Sequence, residues 1–141
     1  MKSFSLIFIV LFQLCTNDKV VDGEIFVKRD SIIGKWQLFE TCISPGAACI
    51  LEKIKNGMIL EFKENGEYLV SNVKVNDGIY QCNGNWKIVE SVIFPGQKQI
   101  QISPSCNKAL WTLNFNFNSD NTLNINPQCI EECRYTYKPI N

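Results

Sequence analysis

The chain has 141 residues, which suits a single domain, and its 14 Lys and Arg residues balance its 14 Asp and Glu residues. This balance excludes the strongly basic character of a nucleic-acid-binding protein. The sequence contains no histidine, which removes the commonest general base and the commonest metal ligand. We therefore expect a protein that is not an enzyme and that holds no metal or other cofactor.

The first residues have the pattern of an export signal. Lys2 supplies a positive start, and residues 4–14 are nearly all apolar, a run too short to span a bilayer but typical of a signal-peptide core. The run ends at Cys15 and is followed by polar residues, an arrangement that resembles the lipidation signal of bacterial lipoproteins. We predict a lipoprotein signal peptide over residues 1–14 and a lipid anchor at Cys15. The alternative is an ordinary signal peptide that is cleaved nearby.

Residues 15–30 are predicted to be the anchor and a flexible tether, because they are polar and charged without a clear period. Residues 31–141 are predicted to form the folded domain. From this organisation we predict a lipid-anchored protein of the cell envelope, located at the outer membrane or facing the periplasm, or otherwise a secreted protein. We expect a monomer that does not bind nucleic acid.

From residue 32 onwards short alternating segments are separated by Gly, Asn, Pro and Asp, which indicates β-strands, and no stretch has a sustained helical period. We join the fourth and fifth segments into one bent strand through the glycine between them, which leaves eight strands. The predicted segments are Gly34–Thr41, Gly57–Lys63, Glu67–Val73, Gly78–Cys82, Asn85–Val89, Lys98–Ile102, Leu110–Phe117, Asn121–Asn126 and Arg134–Lys138.

Two predicted hairpins have a defined register. Asn65-Gly66 is typical of a two-residue type I′ turn, which places Phe62 opposite Leu69, Leu60 opposite Ser71 and Met58 opposite Val73. A fold around Phe94 places Ile88 opposite Ile100, Trp86 opposite Ile102 and Cys82 opposite Cys106. Antiparallel partners are close enough for a disulfide at some positions, although Pro104 is expected to disturb the end of this ladder.

The last hairpin alternates cleanly between apolar and polar residues. Trp111, Leu113, Phe115 and Phe117 share one face with Leu123 and Ile125, and asparagines occupy the other face. No helix is available to cover the apolar face, and closure into a barrel also removes the exposed strand edges. The predicted fold is therefore all-β: a single eight-stranded antiparallel up-and-down barrel.

Three motifs resemble the small bacterial lipocalin-like lipoproteins: Gly34-Lys35-Trp36 at the first strand, Tyr80-x-Cys82-x-Gly84-x-Trp86, and the Cys129-x-x-x-Cys133 ending. The resemblance covers roughly residues 31–138 and implies a lipocalin-like, calycin-type barrel. It also implies that Trp36 closes the base of the barrel, beneath a basic residue of the last strand that is either Arg134 or Lys138.

The seven cysteines leave six for disulfides if Cys15 carries the lipid, which fits an oxidising compartment. We favour the pairs Cys42–Cys49, Cys82–Cys106 and Cys129–Cys133. The main rival pairing joins Cys42 and Cys49 to Cys129 and Cys133, because the first and last strands become neighbours when the barrel closes.

The inner face carries bulky side chains that either line a pocket for an apolar ligand or fill the barrel, and their number favours a nearly filled interior. The candidate lining residues are Met58, Phe62, Leu69, Trp86, Ile102, Trp111, Leu113, Phe115 and Tyr137. Our first hypothesis is a lipid-anchored lipocalin-like binder of a small apolar molecule. The second is a module that binds or inhibits a protein through its surface loops, such as the Cys42–Cys49 loop. A roomy cavity would favour the first, and a packed interior with an apolar loop patch would favour the second.

Overall fold

The computed structural model describes residues 30–44, 46, 48–74, 82–127 and 133–141. These residues form nine strands and no helix. The strands are β1 (Gly34–Ile43), β2 (Ile50–Lys53), β3 (Ile59–Phe62), β4 (Glu67–Ser71), β5 (Gly84–Glu90), β6 (Lys98–Pro104), β7 (Trp111–Phe117), β8 (Leu123–Asn126) and β9 (Cys133–Ile140). Each predicted segment overlaps one of these strands except Gly78–Cys82, of which residues 78–81 lie outside the described residues.

Eight of the strands close into a barrel. β1 pairs with β3 on one side and with β9 on the other, and β3 to β9 follow one another in chain order around the ring. All the pairings are antiparallel. The predicted single eight-stranded antiparallel barrel is therefore confirmed, and its up-and-down order is that of a lipocalin-like barrel.

The one strand that is not part of the ring is β2, and it was not predicted. It pairs with Glu40–Ile43 in the second half of β1, whereas Gly34–Gln37 in the first half pair with β3. A register shift between Leu38 and Glu40 separates the two halves. The sequence of β2 does not alternate between apolar and polar residues, so its pairing with β1, rather than its own pattern, makes it a strand.

The two ends of the barrel carry different connections, because alternate turns of an up-and-down barrel lie at the same end. We call one end basal: it holds the start of β1 and the β3–β4, β5–β6 and β7–β8 turns. We call the other end distal: it holds the β1–β2 hairpin and the β4–β5, β6–β7 and β8–β9 connections. Parts of the distal connections, residues 75–81 and 128–132, lie outside the described residues.

The barrel interior is a continuous apolar core. Trp36, Leu60, Tyr68 and Tyr137 are fully buried, and neighbouring strands contribute further apolar side chains. Interiors of this kind pack as densely as organic crystals, so each buried side chain contacts several others. The core residues are Ile32, Trp36, Leu38, Met58, Leu60, Phe62, Tyr68, Ile100, Ile102, Leu113, Leu123, Ile125 and Tyr137.

The predicted register of the β3–β4 hairpin is wrong by one residue. Lys63 N donates to Glu67 O at 2.9 Å and Gly66 N donates to Lys63 O at 3.1 Å. Gly66 has a φ of +83°, while Asn65 is not among the residues with positive φ. A type I′ turn needs positive φ at both central residues, so the chain instead forms a three-residue loop with glycine in the left-handed position.

This change of loop length moves every residue of β4 to the opposite face. Phe62 pairs with Tyr68 and Leu60 pairs with Val70, so the predicted pairs of Phe62 with Leu69 and Leu60 with Ser71 are not formed. Tyr68 therefore occupies the interior, and it is completely buried. Leu69 lies on the outer face, where it helps to line a surface cavity on β3 and β4.

The predicted register of the β5–β6 hairpin is confirmed. Trp86 pairs with Ile102 and Ile88 with Ile100. The ladder continues to Pro104, which pairs with Gly84 at the end of β6. The apolar face of the β7–β8 hairpin is confirmed as well, since Phe115 pairs with Ile125 and Phe117 with Leu123.

Candidate functional site

Most of the predicted lining residues form the packed core rather than a ligand cavity. Met58, Phe62, Ile102, Leu113 and Tyr137 each have 1% or less of their surface exposed. Trp111 is half-buried and packs against the same cluster. Leu69 is removed from the set because it points outward. The barrel interior around these residues is therefore filled by the protein's own side chains.

Trp36 closes the basal end together with the segment that precedes β1. Its Nε1 donates a hydrogen bond to Ile32 O at 2.7 Å, and its ring lies 5.9 Å from the ring of Phe117. The bond satisfies the indole N–H inside an apolar core and fixes the segment across the barrel end. In the structure Trp36 thus lies at the basal end, in contact with the segment that precedes β1.

Of the two candidate partners of Trp36, Arg134 does not lie beside it. The residue of β9 opposite Trp36 is Pro139, whereas Arg134 pairs with Cys42 further along β1. Side chains alternate along β9, and Tyr135 and Tyr137 face the core, so Arg134 faces outward. There it lines a polar groove of about 290 Å³ with Asn124 and with Glu40, whose carboxylate pairs with Lys53. The assignment of Arg134 to the barrel base is therefore corrected.

The disulfides follow the favoured pairing where they are described. Cys42–Cys49 and Cys82–Cys106 are formed, with Cα atoms 5.5 Å and 6.1 Å apart. The rival pairing of Cys42 and Cys49 with the C-terminal cysteines is therefore wrong. Cys133 is disulfide-bonded, and its predicted partner Cys129 lies outside the described residues, as does the predicted anchor Cys15.

A cavity of about 440 Å³ lies at the basal end, between the segment Asp30–Ile33 and strands β5 to β7. We call it the basal cavity. Trp86, Ile88 and Phe115 form its strand side, and Lys98 lies at the start of β6. The lining is therefore mostly apolar, with one acidic and one basic side chain.

The position of Trp86 in the basal cavity is well defined. Its Nε1 donates to Lys63 O at 3.1 Å, and its ring lies 5.2 Å from Phe62 in an edge-to-face contact. The indole is thus held from the β3–β4 turn on one side and from the core on the other. Such a fixed aromatic surface can contact an apolar molecule without a large loss of side-chain entropy.

Sequence reasoning identified two residues of the basal cavity, Trp86 and Phe115, and missed the others. The predicted register puts Ile88 on the same face of β5 as Trp86, so its position could have been inferred from that register. Ile32 and Ile33 were missed because they precede the first strand, where no alternation indicates direction. Their position depends on the hydrogen bond from Trp36 to Ile32.

A second apolar surface lies on the β1–β2 hairpin. Ile43, Ile50 and Leu51 are 49%, 63% and 57% exposed. Within the described residues β2 pairs only with β1, so its other edge presents unpaired backbone groups, a feature that allows another strand to be added. The Cys42–Cys49 disulfide ties the two strands of this hairpin together.

Burial raises the pKa of Tyr68 from 10.0 to about 12, and its hydroxyl has no hydrogen-bond partner among the described residues. The unfolded phenol ionises near pH 10, before the folded one, so the free energy of unfolding should fall as the pH rises from 10 to 12. The expected loss is about 2–3 kcal/mol. Tyr68→Phe should abolish it. Urea unfolding of both proteins at pH 9 and pH 12 measures this, and equal losses would contradict the assignment.

The chain matches no protein-family model and no curated protein sequence. The part of the chain that the structure describes contains no membrane-spanning helix. The same part of the chain contains no group of three or more Cys, Asp or Glu side chains placed to hold a metal ion. The candidate site therefore rests on geometry alone.

Proposed function

We propose that the protein is an exported, lipid-anchored, lipocalin-like barrel that binds a small apolar molecule in the cell envelope and performs no chemistry. The observation that supports this proposal is the basal cavity. Its volume of about 440 Å³ lies within the range of roughly 300–1,000 Å³ that is typical of small-molecule sites. Its walls consist mainly of aromatic and aliphatic side chains.

The chemistry of the lining defines the ligand class. Trp86, Ile88 and Phe115 offer apolar surface, while Asp30 and Lys98 are the charged residues of the cavity. Burial of apolar surface contributes roughly 25 cal/mol per Å², so an apolar body gains from contact with the rings. The two opposite charges give the cavity no net charge that would attract a strongly charged ligand. A small molecule with an apolar body is therefore favoured.

The first test is native mass spectrometry of the exported protein before and after organic extraction. Extra mass that disappears on extraction would support ligand binding and would begin to identify the ligand. The extracted protein is then titrated with N-phenyl-1-naphthylamine, a neutral apolar fluorophore, to measure binding directly.

Filling the cavity should weaken this binding. Ile88→Trp places a bulky ring in the basal cavity and is expected to weaken fluorophore binding by about tenfold or more, equivalent to 1.4 kcal/mol. The matched control, Ile50→Trp, adds the same ring to the exposed face of β2 and should change binding by less than about twofold. Equal affinity of the two variants for the fluorophore would mean that it binds outside the basal cavity.

A second candidate function is supported by the β1–β2 hairpin. Its open edge and exposed residues Ile43, Ile50 and Leu51 suit recognition of an extended protein segment, which pairs with the edge and lays side chains on the apolar face. A packed core combined with this exposed apolar patch is the combination expected for a surface-binding module. A barrel that carries no extractable mass and binds no apolar fluorophore would favour it over the first.

A further inference from the structure

The turn between β5 and β6 carries three consecutive large apolar side chains that point into solvent. Val92, Ile93 and Phe94 are 97%, 77% and 59% exposed. We call these three residues the basal tip. Runs of three or more exposed apolar residues are disfavoured on the surface of a soluble domain unless they serve a function. These side chains are not part of the core, so a function for them requires a contact outside the barrel.

Three hydrogen bonds within the turn satisfy part of its backbone. Ser91 N donates to Gln97 O at 2.7 Å, Gln97 N donates to Phe94 O at 3.0 Å, and Phe94 N donates to Ser91 Oγ at 3.1 Å. Pro95 has no N–H to satisfy. Unpaired backbone groups are what makes irregular chain costly in an apolar medium. This turn can therefore leave water more easily than an open loop.

The basal tip lies at the end of the barrel to which the N-terminal segment leads. Asp30, the first described residue, lines the basal cavity together with Lys98, and Lys98 begins β6 directly after the turn that carries the tip. Cys15 precedes Asp30 by fifteen positions, a segment that spans at most about 50 Å when extended. An anchor at Cys15 would thus hold the basal end within about 50 Å of the membrane.

We propose that the basal tip inserts its three side chains into the interfacial region of a lipid bilayer, so that the barrel stands on the membrane with its basal end towards the lipid. This inference rests on the lipid anchor of the proposed function. A tether alone leaves the orientation of the barrel free, whereas an inserted tip fixes it. The basal cavity then opens beside the bilayer, where apolar molecules are concentrated.

The orientation can be tested by methyl NMR on the full chain, produced with its own N-terminal sequence and labelled at the isoleucine δ1 methyl groups. The protein is added to vesicles of phosphatidylethanolamine and phosphatidylglycerol that contain a lipid with a nitroxide in its acyl chain. The Ile93 signal is expected to broaden strongly. The Ile50 signal is the matched control, because Ile50 is also exposed but lies on β2 at the distal end, and it should remain sharp.

A sharp Ile93 signal, or equal broadening of both signals, would overturn the insertion. A tip that serves a protein partner instead would also leave Ile93 sharp in the presence of vesicles alone. The mass of the same sample shows whether an acyl chain is attached. An acylated protein with a sharp Ile93 signal would therefore contradict insertion of the basal tip and leave the proposed lipid anchor standing. A protein without an acyl chain would contradict the lipid anchor at Cys15.

A variant pair provides the second measurement. Ile93→Asp with Phe94→Asp should release the protein from vesicles about tenfold faster or more, because two apolar side chains no longer enter the lipid. Ile50→Asp with Leu51→Asp makes the same chemical change on β2 and should leave the release rate within about twofold. Equal rates for the two pairs would overturn the proposal. Neither pair touches the core, so both proteins should fold.

Discussion

Trp36→Ala is expected to lower the free energy of unfolding by about 3–5 kcal/mol. The side chain is completely buried, so its removal leaves a large cavity at the base of the barrel. It also breaks the hydrogen bond to Ile32 O and leaves that carbonyl without its indole donor. Since small domains have a total stability of about 5–15 kcal/mol, the variant should unfold at a much lower urea concentration.

The control for Trp36 is Leu110→Ala, which truncates an apolar side chain that is 61% exposed. Its effect should stay within about 0.5 kcal/mol, because little burial is lost. Similar losses in the two variants would mean that Trp36 does not stabilise the base.

A second variant of Trp36 tests the basal cavity. The Ile32 side of the cavity depends on the hydrogen bond from Trp36, so ligand binding should weaken in Trp36→Phe, which keeps an aromatic ring but removes the indole N–H.

Gly84→Ala is expected to lower the free energy of unfolding by about 3 kcal/mol or more. A Cβ at this position would lie 2.2 Å from Ser103 O and 2.9 Å from Tyr68 Cε1. The first contact involves the backbone of β6, which cannot move without separating β5 from β6. The second involves a fully buried ring. The barrel must therefore loosen at the point where β4, β5 and β6 meet.

Gly96→Ala is the matched control, because a Cβ there would meet nothing within 4 Å. Its only cost is the positive φ of +84°, which an L-residue tolerates at about 1–2 kcal/mol. Urea unfolding of the two variants separates steric crowding from backbone strain. A loss at Gly84 no larger than that at Gly96 would contradict the close packing of Tyr68 against Gly84.

The sequence predicted most strands because their apolar residues alternate. In β7, Trp111, Leu113, Phe115 and Phe117 recur at every second position, and this period is a local property of the chain. The same reasoning gave the correct pairing of Trp86 with Ile102, since two alternating segments around one turn have few registers that match apolar residues. Part of the candidate site, Trp86 and Phe115, followed from these patterns.

The β3–β4 register failed because two loop geometries suit the same residues. Asn65-Gly66 fits a type I′ turn and also fits a three-residue loop in which only glycine has positive φ. The two loops differ by one residue in register, and the difference exchanges Tyr68 and Leu69 between the inside and the outside. The choice between the two loops depends on how the β3–β4 hairpin packs between the neighbouring strands. The residues of the turn do not determine this packing by themselves.

By itself the sequence determined that the chain is all-β, that its apolar faces require closure, and that Cys82 and Cys106 are partners, because alternation and turn chemistry act over a few residues. Only the tertiary structure decided the register of β4, the addition of β2 to β1, the outward position of Arg134, and the placement of Asp30–Ile33 beside Trp86. Each of these depends on contacts between residues distant in the sequence, and such contacts form only when the barrel closes.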